Sequence, residues 1–328
     1  MTPKTTLRAL ALVISLHASA CASSLAPATN RLEVATASPA LVAAERPGLP
    51  QHPDVDPAGE WIVFSHAGDI WSVPAAGGVA ARLTAHPANE RRAVFAPDGS
   101  SLAFESNRDG ANNLYRLPLS RSNGRLLAGA AQRVTHTDRS ETLGGFTPDG
   151  ERLVFDSSRE PGLYRSARLF SVSVDGGPIT RLTDAFGYDP RPGADGRIVF
   201  RRGRDLHVRP AYDGPGTPQL WVLSADSQGL TPLVDVPGSE HAGHGLPDGG
   251  AVFVSSRTGS NQVWLRAADG RERQLTDFQP GDGVATIGHG VRDFRVSSDG
   301  DTAVFCVWDR LYRMDLTAAE PRPVEVDV

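Results

Sequence analysis

The chain has 328 residues, 33 basic against 38 acidic side chains and a formal net charge of −5. Apolar residues make up 40% and charged residues 22%, a balance that indicates a globular chain and excludes a disordered one. The mildly acidic charge argues against nucleic acid as a partner. Because Lys4 is the only lysine, a mature chain without its N-terminus has no lysine for Schiff-base or phosphate-loop chemistry.

The N-terminus has the pattern of an export signal. Lys4 and Arg8 precede an apolar stretch, Ala9 to Leu16, and small residues follow up to Cys21. A charged start, a short hydrophobic stretch and small residues before a cut site are typical of secreted proteins. The stretch is too short to remain as a membrane span. We therefore predict that residues 1–20 are a signal peptide and that the protein reaches the periplasm or cell envelope.

Two processing routes are open at this junction. The pair Ala20-Cys21 resembles the site at which bacterial lipoproteins are cut, and acylation of Cys21 would then anchor the protein to a membrane. Plain cleavage after Ala18-Ser19-Ala20 is the alternative. Residues 21–50 are rich in Ala, Pro, Ser and Thr, which predicts a flexible linker. The other cysteine, Cys306, lies in an apolar run and is expected to be a buried core thiol.

Past residue 50, one unit repeats six times. A turn with a glycine precedes a short apolar strand, a second strand carries an aromatic residue, and a third is often spelled Arg-Leu-Thr. The turn glycines follow one another at intervals of 40, 51, 46, 53 and 51 residues. They are Gly59, Gly99, Gly150, Gly196, Gly249 and Gly300. Six copies of one pattern indicate a repeat architecture.

This period predicts the blades of a β-propeller. The Asp-Gly turns supply the positive φ that a tight turn needs, and a single blade cannot cover both of its own faces, so the ring must close. We predict an all-β fold over residues 51–328, a six-bladed propeller of four-stranded antiparallel blades. The alternating segment Pro323 to Val328 should be the outer strand of blade six. Blades one and six should then meet mainly through side-chain packing.

Several blade motifs, taken in order, resemble a known family. They are His52-Pro53-Asp54 and Gly68-Asp69-Ile70-Trp71 in the first blade, Phe95-Ala96-Pro97-Asp98-Gly99 in the second, Gly145-Phe146-Thr147-Pro148-Asp149-Gly150 in the third and Ala211-Tyr212-Asp213-Gly214 in the fourth. This series is similar to the N-terminal six-bladed propeller of tricorn-like proteases. The same Pro-Asp-Gly blades occur in TolB, the periplasmic propeller of the Tol–Pal envelope system, but the order of blade variants favours the tricorn-like family.

The resemblance also implies what the chain does not contain. In tricorn-like proteases the propeller precedes further domains that hold the serine peptidase site. No residue here matches the catalytic serine or histidine of that family, so we expect no catalytic residue and no cofactor. The resemblance implies a substrate-handling or docking module. Its expected partner is a peptide or protein ligand, with a separate peptidase subunit as a further candidate.

Motifs for independent chemistry are weak. The sequence has no Gly-x-Ser-x-Gly nucleophile turn and no phosphate loop. The spacing nearest to that of a metal site is Glu240-His241-Ala242-Gly243-His244. A lining of the channel and a surface turn are the other interpretations of this segment, and no metal is predicted.

A propeller binds ligands where its innermost strands line the central channel, and each blade places a polar group there. The arginines of this set could hold a peptide carboxylate in forked hydrogen bonds. Alternatively, they pair with acids such as Glu90 and Asp189 and keep the channel solvated. The predicted ligand-binding residues are His52, Arg91, Arg92, Glu141, Arg191, Glu240, His241, His244, His289 and Arg292.

Three functions are compatible with the sequence. The first is an exported, non-catalytic propeller that binds peptides or a protein partner, as the propeller of a tricorn-like protease would. The second is a TolB-like periplasmic scaffold of the cell envelope. The third is an enzyme with its site in the channel mouth.

Overall fold

The computed structural model describes residues 48–160, 166–203, 214, 216–279 and 290–328. The predicted signal peptide, most of the predicted linker with Cys21, the fourth-blade motif at 211–213 and His289 lie outside these residues. Among the described residues, no helix is long and apolar enough to cross a membrane.

The described residues form six antiparallel sheets whose strands follow one another in sequence order. Blades one to three contain β1 (Gln51–Val55), β2 (Trp61–His66), β3 (Asp69–Pro74), β4 (Ala81–Arg82), β5 (Glu90–Phe95), β6 (Ser101–Ser106), β7 (Asn113–Ser122), β8 (Arg125–Ala128), β9 (Gln132–Arg133), β10 (Glu141–Phe146), β11 (Arg152–Ser157), β12 (Arg168–Ser173) and β13 (Thr180–Phe186). Blades four to six contain β14 (Tyr188–Pro192), β15 (Ile198–Arg202), β16 (Gln219–Leu223), β17 (Leu230–Pro232), β18 (Glu240–Gly245), β19 (Ala251–Ser255), β20 (Gln262–Arg266), β21 (Glu272–Gln274), β22 (Val291–Val296), β23 (Thr302–Val307), β24 (Arg310–Asp315) and β25 (Val324–Val326).

The sheets are arranged as a closed ring. The first strand of each blade contacts the first strand of the next, in the order β1, β5, β10, β14, β18, β22 and back to β1. These six inner strands surround the channel, and the predicted six-bladed propeller is confirmed. The short outer strands, of two or three residues in several blades, leave little free edge for pairing with other chains.

The second strand of each blade forms the core. It has a neighbouring strand on both sides and a neighbouring blade on both faces, so its side chains are shielded in every direction. A phenylalanine occupies the same place in each copy and is 0% exposed in all six. These residues are Phe64, Phe104, Phe155, Phe200, Phe253 and Phe305.

Among the residues that the structure describes, the ring closes without an exchanged strand. Blade six takes its outer strand, β25, from its own residues, as predicted. Side chains of blade one, Ile62 and Phe64 among them, share one hydrophobic cluster with Cys306 and Leu311 of blade six. One backbone hydrogen bond, from Gly78 N to Asp327 O at 3.0 Å, also crosses this seam.

Blade two carries a hairpin that the repeat pattern does not predict. Strand β7 is ten residues long and continues past the blade to pair with β8. The turn between them is Asn123-Gly124, with φ of 51° and 67°, the residue pair that a two-residue hairpin turn favours. Arg121 Nη2 in this hairpin donates to the buried Asp56 Oδ2 at 2.7 Å. The hairpin therefore adds a contact between blade two and blade one.

We predict that the seam between blades one and six depends on side-chain packing. Leu311→Ala removes a leucine that is 1% exposed in the shared cluster, which should lower the free energy of unfolding by about 2–5 kcal/mol. Urea denaturation measures this change. Leu127→Ala is the matched control, because this leucine is 42% exposed on β8 and its loss should cost under about 0.5 kcal/mol. Equal losses in the two variants would contradict the prediction.

Candidate ligand-binding site

Each inner strand contains a β-bulge. The pairing of β1, β5, β10, β14, β18 and β22 with the second strand of the same blade shifts register once in every blade. At four of the bulges a residue other than glycine has φ between 47° and 53°, a conformation that costs on the order of 1–3 kcal/mol. These residues are His52, Arg92, Asp189 and Ala242. Bulges re-aim side chains next to functional sites, and here all six face the channel.

Side chains of the preceding blade hold several of these bulges in place. Arg92 N donates to Ser65 Oγ at 3.1 Å, and Asp189 N donates to Asp156 Oδ2 at 2.8 Å. Ser65 and Asp156 both follow the repeated phenylalanine of a second strand. This position therefore reaches from one blade to the inner strand of the next, and its polar residues help to shape the channel wall.

At the N-terminal ends of the inner strands the channel opens into a cavity of about 200 Å³, which we call the arginine cavity. Five arginines and three aspartates line it, with His52, His241 and Tyr188. The charged residues are Arg92, Arg191, Arg201, Arg292 and Arg295, and Asp156, Asp189 and Asp293. The wall thus carries an excess of positive charge in a chain whose net charge is −5.

One aspartate of the cavity is fully paired. Arg191 donates from Nε to Asp189 Oδ1 at 3.1 Å and from Nη2 to Asp189 Oδ2 at 3.0 Å. Burial opposes ionisation of Asp189, but the charges of Arg191 and Arg92 outweigh it and hold the pKa of Asp189 well below its ordinary value. Asp189 is therefore an anion that neutralises part of the arginine charge.

Side chains fill the channel below the arginine cavity. Arg191 Nη1 donates to Phe294 O at 2.9 Å and lies 3.2 Å from His244 Nε2, and Arg295 Nη1 donates to Gly144 O. Burial, with the charges of Arg191 and Arg295, lowers the pKa of His244 well below its ordinary value, so this imidazole is neutral. A smaller cavity of about 50 Å³ lies beyond, and Arg295 lines both cavities. We call Arg191, His244 and Arg295 the channel floor.

The structure describes nine of the ten predicted ligand-binding residues, and they divide into four groups, the last of which contains Glu141 and Glu240. Five of them line the arginine cavity: His52, Arg92, Arg191, His241 and Arg292. His244 lies in the floor and borders the smaller cavity. Arg91 is 40% exposed and pairs with Glu105, Nε to Oε2 at 2.9 Å.

Glu141 and Glu240 are the first residues of the inner strands β10 and β18 and are not among the residues that line the arginine cavity. Arg159 Nη1 is 3.7 Å from Glu141 Oε1, and Arg257 Nη2 is 2.9 Å from Glu240 Oε1. Blade two repeats the pair with Glu90 and Arg108. Each of these arginines also lies over an aromatic ring of its own blade. The glutamates are thus committed to ion pairs inside the blades.

The segment from Glu240 to Gly245 is a fully buried inner strand, β18, and its interpretation as a surface turn is wrong. Within the described parts of the chain, no group of three histidine, cysteine, aspartate or glutamate side chains could hold a metal ion. His241 and His244 lie on opposite sides of the bulge in β18. His241 therefore lines the arginine cavity, whereas His244 belongs to the channel floor.

Asp156, Arg201 and Arg295 belong to the cavity, and the repeat pattern did not select them. A usable signal was present for two of them. The residue after the repeated phenylalanine sits between blades and should be small or apolar, yet it is Glu105 in blade two, Asp156 in blade three and Arg201 in blade four. Charged residues at a core position of a repeat mark a functional candidate.

Fold and site together define a class: a propeller of Pro-Asp-Gly blades with a polar, arginine-lined channel. The family model of the Tricorn protease N-terminal beta propeller domain matches residues 47–320, and the chain belongs to this family. The chain is 29% identical to Tricorn protease homolog 1 of Streptomyces coelicolor, with 82% of this chain and 24% of that protein covered. With the Tricorn protease of Thermoplasma volcanium it shares 22% identity over 85% of this chain and 26% of the relative.

Solved structures agree on the fold. The crystal structure of the tricorn protease superposes with a TM-score of 0.66 at 21% identity, covering 86% of this chain and 26% of that one. TolB from Acinetobacter baumannii superposes with a TM-score of 0.53 at 15% identity, covering 87% and 68%. The chain thus spans about a quarter of the tricorn relatives that it matches. The predicted tricorn-like propeller is confirmed.

We predict that the buried glutamate–arginine pairs make stability depend on pH. Burial raises the pKa of Glu240 to about 7, although Arg257 opposes the shift. Between the ordinary pKa of 4.5 and about 7, the folded chain holds a proton that the unfolded chain has released. Glu240 therefore contributes less stability as pH rises through this window, by on the order of 2–3 kcal/mol in total.

Glu240→Gln removes this dependence. The difference in free energy of unfolding between Glu240→Gln and the parent should therefore increase from pH 5 to pH 8, as measured by chemical denaturation at each pH. Glu60→Gln, on the exposed side of a turn, is the control for the loss of one negative charge. A difference that stays constant or shrinks with rising pH would contradict the prediction.

Proposed function

We propose that this propeller is a non-catalytic binding module that holds the C-terminal carboxylate of a peptide or protein partner in the arginine cavity. The observation that carries the proposal is the excess of arginines around a cavity of about 200 Å³ in an acidic chain. Its tricorn relatives are named as proteases and are about four times as long as the matched region. We therefore propose that the module presents peptides to a peptidase carried elsewhere.

Two arginines are suited to receive a carboxylate. Arg92 Nε lies 3.6 Å from Glu105 Oε1, and Arg92 Nη1 lies 3.6 Å from Asp189 Oδ1. Both distances are longer than those of strong hydrogen bonds. Arg292 Nη2 donates to two neutral carbonyls, Pro50 O at 2.9 Å and Trp308 O at 3.3 Å. Their side chains are 25% and 26% exposed. A ligand carboxylate could therefore form shorter, charge-assisted bonds with both guanidinium groups.

The channel floor favours the end of a peptide over its middle. Arg191 and Arg295 cross below the arginine cavity and bond to backbone carbonyls of other blades. An extended peptide entering from the mouth meets these side chains and can bury only its terminal residues. Since arginine attracts a carboxylate and repels an ammonium group, the C-terminus is the end that fits.

We also propose that the protein works in the periplasm or cell envelope, with Cys21 as a lipid anchor if it is acylated. The charged and apolar pattern of residues 1–20 supports export. The fold it shares with TolB proteins is compatible with that location.

Binding of acetyl-Ala-Ala-Ala with a free carboxylate tests the proposal. Isothermal titration calorimetry should detect binding of this peptide to the parent protein, and the same peptide with a C-terminal amide should fail to bind. Arg92→Gln and Arg292→Gln should each weaken binding roughly ten-fold or more, because each removes charged hydrogen bonds worth about 1.5–3 kcal/mol. Arg271→Gln is the matched control, since Arg271 is 86% exposed on a blade-five turn and pairs with the nearby Asp269.

Melting curves of each variant confirm that it is folded. Equal binding of acid and amide, or unchanged binding in both cavity variants, would contradict the proposal. Peptide cleavage by the propeller alone that is lost in these variants would point to an enzyme in the channel mouth instead.

A TolB-like scaffold is the second candidate function. It is supported by the structure of a putative TolB from Agrobacterium tumefaciens, which superposes with a TM-score of 0.59 and of which 92% is covered by the match to this chain. Crosslinking in whole cells separates the two candidates, because a scaffold would trap envelope lipoproteins and a peptide-binding module would trap a peptidase or peptides.

A further inference from the structure

Asp156 differs from the other acids of the arginine cavity. It follows the repeated Phe155 on β11, lines the cavity and is 6% exposed. Its Oδ2 accepts a hydrogen bond from the bulge amide of Asp189 at 2.8 Å. In the described parts of the chain no arginine forms an ion pair with Asp156, whereas Asp189 pairs with Arg191 and Asp293 lies 3.5 Å from Arg292.

The surroundings of Asp156 contain charges of both signs. Asp189 on β14 and Glu105 on β6 are like charges, and Arg92 on β5 is an opposite charge that favours the ionised form of Asp156. Arg201 on β15 lines the same cavity. Burial and Asp189 raise the pKa of Asp156 to about 7, against the opposing effects of its hydrogen bond from Asp189 N and of Arg92. Arg92 is itself shared with Glu105 and Asp189. An anion that recruits Arg92 therefore weakens an attraction that favours ionised Asp156.

We propose that binding of a carboxylate in the arginine cavity is coupled to the uptake of one proton by Asp156, which makes this aspartate the residue that sets the affinity at a given pH. The proposal rests on the proposed carboxylate-binding function. A bound carboxylate and an ionised Asp156 repel one another in a poorly hydrated cavity. Protonation of Asp156 removes the repulsion and keeps the oxygen that accepts from Asp189 N.

Other titratable groups near the cavity must be separated from Asp156. His52 does not titrate near neutral pH, because burial and Arg92 lower its pKa to about 3. Asp54, beside Arg295, does titrate there, since burial raises its pKa to about 7. His241 carries an imidazole and lines the same cavity. Asp54→Asn and His241→Gln are therefore required as controls.

Calorimetric titration with acetyl-Ala-Ala-Ala, at pH 6.0, 7.0 and 8.5, tests the coupling. The peptide has no group that titrates in this range. For the parent protein, affinity should fall about thirty-fold from pH 6.0 to 8.5, because Asp156 has a pKa of about 7. At pH 7.0, heats measured in two buffers of different ionisation enthalpy should reveal proton uptake on binding.

Asp156→Asn should bind with the same affinity at all three pH values and without proton uptake. Asp156→Ser, which also keeps an oxygen acceptor for Asp189 N, is the second variant and should behave in the same way. Asp54→Asn and His241→Gln should retain the pH dependence of the parent. The inference is overturned if pH dependence survives in both Asp156 variants or is lost in a control.

The result also separates this inference from the proposed function. Binding without pH dependence or proton uptake in the parent overturns the coupling and leaves carboxylate binding intact. Failure of the peptide to bind at any pH overturns both.

Discussion

The structure depends on the burial of one strand per blade between two neighbouring blades. A sheet of four short strands exposes two apolar faces, and no blade has a helix or second sheet of its own to cover them among the described residues. Each repeated phenylalanine is buried only because the next blade lies against it. The ring geometry follows from this requirement, and it forces the six inner strands to converge on one axis.

Convergence on the axis explains the chemistry of the channel. Inner strands crowd together where the ring is narrowest, and a bulge in each strand turns backbone amides and side chains toward the channel or the adjacent blade. Side chains that follow the buried phenylalanine, such as Ser65 and Asp156, satisfy those amides from the preceding blade. The same crowding removes water from the charged groups. Burial therefore raises the pKa of Asp156 and lowers the pKa of His52, so that the neutral form of each side chain is favoured.

The repeat pattern predicts the blade number, the inner strands and the closure by β25, because these follow from period and hydrophobicity. It also selects several residues that line the arginine cavity, such as Arg92 and Arg292, because inner strands can be recognised by their place before each turn. It does not predict Arg295 in the floor or the ion pair between Glu240 and Arg257. Those depend on how far a long side chain reaches across the axis or along its own blade, and spacing in sequence carries no information on that reach.

The seam between the first and last blades has a mechanical consequence. In a propeller whose final sheet borrows a strand from the opposite end of the chain, tension applied to the two ends is carried by a ladder of backbone hydrogen bonds. Here β1 and β25 belong to different sheets. Among the described residues, side-chain packing, one backbone hydrogen bond and hydrogen bonds of the side chains of Asp293 and Arg292 join blades one and six. A pulling force applied to the two ends of the chain would therefore separate blade one from blade six, so the ring should open first at this seam.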